Sequence, residues 1–167
     1  MTSLPIDPYV RYSKPSDIDA IADRLRAIDV KEMLAMDPTW DPKTVLEHPM
    51  EMSAECFTGR SYPSHIPVCM FGCGKYRRVA PSRALQYLYL PVWFLATDML
   101  YYPAHATRFL RNSKRWVEYF YSNYGCIGNE VLCTNIGSIR WLRGLGFRSI
   151  ACREVNGHLF ETYIYGI

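Results

Sequence analysis

Arg108, Arg111, Lys114 and Arg115 recur three and four positions apart, a spacing that gathers them on one face of a helix. That face starts at the helix's amino-terminal end, where unpaired N–H groups and the positive end of the helix dipole favour anions. The chemistry served by this combination is phosphate binding, with Ala106–Arg111 as the receiving segment. The same residues also fit a solvated face opposite an apolar one. His105, at the helix start, adds an imidazole that can contact phosphate or make a local hydrogen bond. Cys69 and Cys73, with His65 nearby, invite a metal site. On a strand, however, the two thiols share a face about 13 Å apart, too far for one ion, so no metal is expected. Neither a nucleophilic triad nor a phosphate-binding lysine loop is evident.

The elements that hold these groups follow from periodicity. A long helix over His105–Tyr124 turns Phe109, Leu110, Trp116, Val117, Phe120 and Tyr121 inward and stops at Gly125. Pro67–Gly74 and Tyr87–Thr97 are almost continuously apolar and read as strands buried on both faces. Pro91 then requires an edge, a bulge or a strand start. Between them Lys75–Arg83, with Pro81, is a basic turn. Near the start, Ser16 is the expected cap of a helix carrying Ile18, Ile21, Ala22, Leu25 and Ile28. Val30–Met36 forms a second helix, stopped by Asp37-Pro38, and Pro42–Cys56 contributes a third. Val131–Phe147 reads as strand, Asn135 cap, amphipathic helix (Ile139, Trp141, Leu142, Leu145) and a glycine exit into another strand. The order β, α, α, β, β, α, β, α, β, β implies an α/β fold with a mixed sheet, not a doubly wound one.

Composition sets the outer bounds. A chain of 167 residues, 49% hydrophobic, supports one domain over 1–167 with a sizeable core. A net charge of +3 is too weak a footprint for a dedicated nucleic-acid binder. The most apolar stretch, Leu85–Leu100, contains Pro91 and Asp98 and falls short of the ~20 residues that span a bilayer. With no secretory segment ahead of six cysteines, reduced thiols and a soluble, cytoplasmic protein are expected. Aromatics near the C-terminal strands could pair two subunits as a homodimer or finish a monomer core.

Asn135, Ile139, Leu142 and Leu145-Gly146-Phe147 resemble the second cofactor-site motif of the GNAT (GCN5-related) N-acetyltransferases. Val10–Asp19 is similar to that family's first strand and capped first helix, and Phe147–Cys152 and His158–Tyr165 to its last two strands. Phe94–Asp98, Phe109–Arg115 and Ile139–Phe147 resemble more narrowly a phage branch described as internal virion protein or acetyltransferase-like. The resemblance implies a mostly antiparallel central sheet, splayed between its fourth and fifth strands and flanked by helices, with acetyl-coenzyme A in the splay and a primary amine as acceptor. By the same resemblance Leu95 and Thr97 would bond the pantetheine arm. Ala106, Thr107, Arg108 and Arg111 would receive the phosphates, and Asn135 would order the closing helix. Glu32 is the first and Asp29 the second expected base, with His105 a third; both carboxylates also fit ordinary surface or capping roles.

Two departures accompany the resemblance. The family's Arg or Gln followed by two glycines falls on Tyr101, Ala104 and Ala106, and Leu142 stands where many members carry a tyrosine that protonates the leaving thiolate. Tyr101, Tyr102 and Tyr124 are the nearby substitutes. The competing readings are a non-enzymatic phage protein that uses the scaffold for virion assembly, ejection or contact with a host protein, and a nucleic-acid module using the basic helix and turn. A phage origin would place the chain in the host cytoplasm or the virion.

Overall fold

The computed structural model describes residues 2–80 and 86–167. Eight strands are joined in one sheet: β1 (Val10–Tyr12), β2 (Ser53–Arg60), β3 (Pro67–Gly74), β4 (Arg78–Val79), β5 (Leu88–Ala96), β6 (Ile127–Leu132), β7 (Arg148–Val155) and β8 (His158–Tyr165). Their spatial order is β1-β2-β3-β5-β6-β8-β7, with the two-residue β4 set beside β5. Every pairing is antiparallel except β5 with β6. The helices are α1 (Pro15–Ala22), α2 (Ala27–Met36), α3 (Thr44–Glu51), α4 (Pro103–Tyr124) and α5 (Ile136–Leu145). The fold is thus a mixed α/β sheet flanked by helices, and none of the described helices is long and apolar enough to cross a membrane.

Ile18, Ile21 and Leu25 join Val45 and Leu46 of α3 against Met70 and Leu95 of the sheet. On the opposite face, Trp116, Val117 and Phe120 of α4 and Ile139, Leu142 and Leu145 of α5 cover Phe57, Ile127 and Tyr163. Each helix buries one apolar stripe, so the sheet is covered on both sides.

Several boundaries differ from the sequence reading. Lys14, not Ser16, is the first helix's cap, because Asp17 turns back to accept from the Lys14 N–H at 2.8 Å. Asp17 is fixed there by a two-pronged bond from Arg11 and one from Thr58. The first helix ends at Ala22 and a new one starts at Ala27, since the Arg26 N–H leaves the helix to bond Ala96 of β5. The expected helix over Pro42–Cys56 stops at Glu51, and Ser53–Arg60 becomes β2, inserted between β1 and β3. The basic turn over Lys75–Arg83 contains β4, and its residues from Pro81 onward lie outside the described residues.

The sheet divides between β5 and β6. Only Leu90 with Ile127 and Pro91 with Gly128 are paired, after which the strands separate. A Cβ on Gly128 would lie 2.7 Å from the Tyr89 ring and 2.8 Å from the Tyr163 carbonyl, so this junction closes only around glycine. β5 shows no register shift against β3. Pro91 sits instead where the strand changes partner, a place where a missing N–H interrupts no ladder with β3.

Candidate active site

The edges of the split are chemically active because their peptide groups lack a strand partner. Leu90 N–H bonds across to the Cys126 carbonyl at 2.9 Å, while Thr97 N–H turns the other way to Val68 at 2.8 Å. Peptide direction alternates along a strand, so the N–H and C=O of Phe94 face the gap. Of the residues expected along this edge, Leu95 and Thr97 turn their N–H groups toward β3. Leu95 is registered with Met70 of β3 and its side chain packs with α1. Thr97 keeps a buried hydroxyl with no partner among the described residues.

From one face α2 reaches both edges. At β5, Ala96 donates its N–H to Asp29 Oδ2 at 3.0 Å and its carbonyl accepts from Arg26 N–H at 2.9 Å. Asp29 also takes a two-pronged bond from Arg26, at 2.7 and 2.8 Å. Burial pushes the Asp29 carboxyl up, against the opposing pull of Arg26 and the Ala96 N–H. The guanidinium lies 5.6 Å from the Phe94 ring centre and 5.7 Å from that of Tyr101. Asp29 is thus committed to positioning Arg26 and the end of β5.

One turn later Glu32 meets the other edge. Its Oε2 accepts from the Leu132 N–H at the end of β6 and from Asn135 Nδ2, both at 3.0 Å. Asn135 in turn caps α5 by accepting from Ser138 N–H at 3.2 Å. Burial pushes the Glu32 carboxyl up to about 7, although the two donors oppose it. Oε1 has no protein donor among the described residues.

On the opposite face, a cavity of about 110 Å³ runs between the sheet and α4. Phe94, Phe109 and Trp141 come from β5, α4 and α5 to meet over the split, their ring centres 4.7 to 5.6 Å apart. Trp141 Nε1 is buried there without an acceptor among the described residues. Leu142 is buried in the cavity wall.

The phosphate expectation is only partly assembled. Ala104 and Ala106 lie inside α4, and neither has a positive φ, so alanine is compatible with the backbone at both places. The first turn of α4 carries no acidic residue. Thr107 and Arg111 are exposed, but Arg108 is drawn away: its Nη2 donates to the Arg60 carbonyl at 3.0 Å and its guanidinium covers the Tyr9 ring at 4.0 Å. His105 is turned to the Met99 carbonyl through Nδ1 at 2.8 Å. Of the substitute tyrosines, Tyr101 stands beside Arg26 and Tyr102 at the start of α4, whereas Tyr124 closes the far end of that helix. Cys69 and Cys73 are buried, and burial raises both thiols to about 12, a poor state for ligands that bind as thiolates.

The unpartnered Trp141 Nε1 and Thr97 hydroxyl, and the gap-facing peptide of Phe94, are the groups that an amide-bearing chain with a carbonyl would satisfy. Sequence reasoning did not single out Phe94, Arg26 or Trp141 as lining the split, because they come together only in the fold; the alternation along β5 was the one signal that pointed to the Phe94 peptide.

No protein-family model and no curated protein matches the sequence. The structure, by contrast, is similar to solved acetyltransferases. A GNAT-family acetyltransferase from Bacillus anthracis superimposes with a TM-score of 0.63 at 14% identity, over 93% of this chain and 92% of that one. The ribosomal-protein-S5-alanine acetyltransferase of Vibrio fischeri gives 0.60 at 16% identity, over 99% and 96%. A GNAT-family acetyltransferase from Streptococcus agalactiae gives 0.63 at 11%, over 95% and 94%. With an eight-stranded mixed sheet flanked by helices, the chain has the GNAT acetyltransferase fold.

Proposed function

We propose that this protein is an acetyl-coenzyme A-dependent N-acetyltransferase acting on a primary amine. The observation that carries the reading is Glu32, a carboxyl raised to about 7 and held at the mouth of the split by Leu132 and Asn135. A base must have its pKa near the working pH to take a proton from an ammonium and release it again. Acetyl-coenzyme A, when bound, supplies a thioester open to attack by an amine. Glu32 would accept one ammonium proton; the amine nitrogen would bond the acyl carbon as the C–S bond breaks, its second proton would pass through solvent to the departing thiolate, and Glu32 would return its proton to solvent. The Phe94 peptide and Trp141 Nε1 orient the arm, and Asp29 keeps Arg26 and β5 in place. Asn135 fixes both Glu32 and the start of α5. Two structural neighbours carry names that give a ribosomal-protein alanine as acceptor, which puts a peptide amino terminus first among the amines to try.

The test is acetyl transfer from acetyl-coenzyme A to a panel of peptide and small-molecule amines, wild type against Glu32→Gln. Turnover that depends on Glu32 supports the reading; no binding of acetyl-coenzyme A by folded protein overturns it. The second reading is a non-enzymatic phage protein on the same scaffold, acting in the virion or on a host protein. The closed Phe94, Phe109, Trp141 group and the diverted Arg108 favour it, and that second outcome would select it.

A further inference from the structure

Resting on the acyltransferase reading, we propose that the slot beneath α4 receives a linear acyl chain longer than acetyl, carried as its coenzyme A thioester. The cavity does not end at the split. Its wall includes His105 near the start of α4 and Phe120 near the other end, a run of about 22 Å along the helix axis. Beyond Phe94, the deep part is walled by Val92, Val117, Phe120, Ile127, Leu145 and Phe147. Val117, Ile127 and Phe147 are buried. The polar side chains beside this part do not alter its character: the Ser113 hydroxyl is turned back onto the Phe109 carbonyl, and Asn129 stands at the β6 edge. The charged Asp7, Arg60 and Arg108 line the slot toward β1 and β2, where Asp7 is held by Asn112 and Arg108 by the Arg60 carbonyl.

An acetyl group has no use for such a space. An apolar cavity of about 150 Å³ takes up benzene, so a slot of about 110 Å³ is of the order of a short alkyl chain. The span of its wall from His105 to Phe120 suits an extended chain better than a ring. Phe94, Trp141 and Ile127, which border the split, also line the slot, so a chain that parts the aromatic group would have its carboxyl carbon beside Phe94 and Trp141, where the transferred carbonyl must be. Burial of each further methylene then improves affinity about fourfold, compounding to about two-hundredfold between acetyl and hexanoyl.

The experiment is calorimetric titration with coenzyme A, acetyl-, butyryl-, hexanoyl- and octanoyl-coenzyme A, with free hexanoate alongside. The expected result is affinity that climbs from acetyl to hexanoyl and levels off once the slot is full. Val117→Phe, which fills the deep end, brings the hexanoyl-to-acetyl ratio toward one; Val117→Ala moves the levelling point to a longer chain and serves if the larger side chain prevents folding. Measurable acetyl-coenzyme A binding with no gain for hexanoyl overturns the inference and leaves the acetyltransferase reading standing. Free hexanoate bound as tightly as its thioester also overturns it, assigning the slot to a fatty acid. Failure of every thioester and of coenzyme A itself removes both readings together.

Discussion

Asp29 and Glu32 lie one turn apart on α2 and differ through their partners. Asp29 faces a guanidinium and a peptide N–H, whereas Glu32 has two neutral donors on one oxygen and is pushed up to about 7. The sequence picks out both carboxylates and the resemblance ranks Glu32 first, but the partners that set them apart, Ala96, Leu132 and Asn135, are far away in the chain. Glu32→Gln is expected to lower kcat about 10²- to 10⁴-fold with little change in KM. A wild-type rate that rises with pH through about 7 should lose that limb in the variant. The stability effect has the opposite sense. The carboxyl titrates at 4.5 in its ordinary state and about 7 when folded, so the native protein binds the extra proton and stability falls as pH rises between those values. Urea melts should therefore show Glu32→Gln gaining on wild type from pH 5 to pH 8. Asp29→Ala leaves Arg26 buried and unpaired, and should cost about 3–5 kcal/mol in the same melts.

Among the elements, α5 and its flanks are the most local. A capping Asn135, an apolar stripe and the left-handed Gly146 lie within twelve positions, and each acts on its immediate neighbours, which makes Val131–Phe147 legible from sequence. β2 is the contrary case. Ser53–Arg60 mixes small, charged and aromatic residues, and its strand state comes from β1 and β3 on either side. Asn135→Ala removes both the cap on Ser138 and a donor to Glu32. It should cost about 0.5–2 kcal/mol and move the pH–rate limb upward, since the ionised Glu32 loses a hydrogen bond. At the junction of β5 and β6, Gly128→Ala drives a Cβ into the Tyr89 ring and the Tyr163 carbonyl. A loss of about 1–3 kcal/mol is expected from such overpacking, read as a lower Tm.

At the scale of the molecule, the split was expected from family resemblance and is present. What fills it was not legible: Phe94, Phe109 and Trp141 are each ordinary apolar residues of their own elements, and only folding brings three distant segments together. The diversion of Arg108 has the same origin, because Tyr9 and the Arg60 carbonyl belong to the other end of the sheet. The attachment of α2 to both edges also gives the protein an internal gauge. The amide proton of Leu132 is held by Glu32 and that of Ala96 by Asp29, so one resonance follows the charge of Glu32 while the other serves as its reference. In an NMR titration without any substrate, the Leu132 amide signal should move with a midpoint of about 7 and the Ala96 signal should not share that step, making the protonation of one side chain visible as a chemical shift on the opposite side of the split.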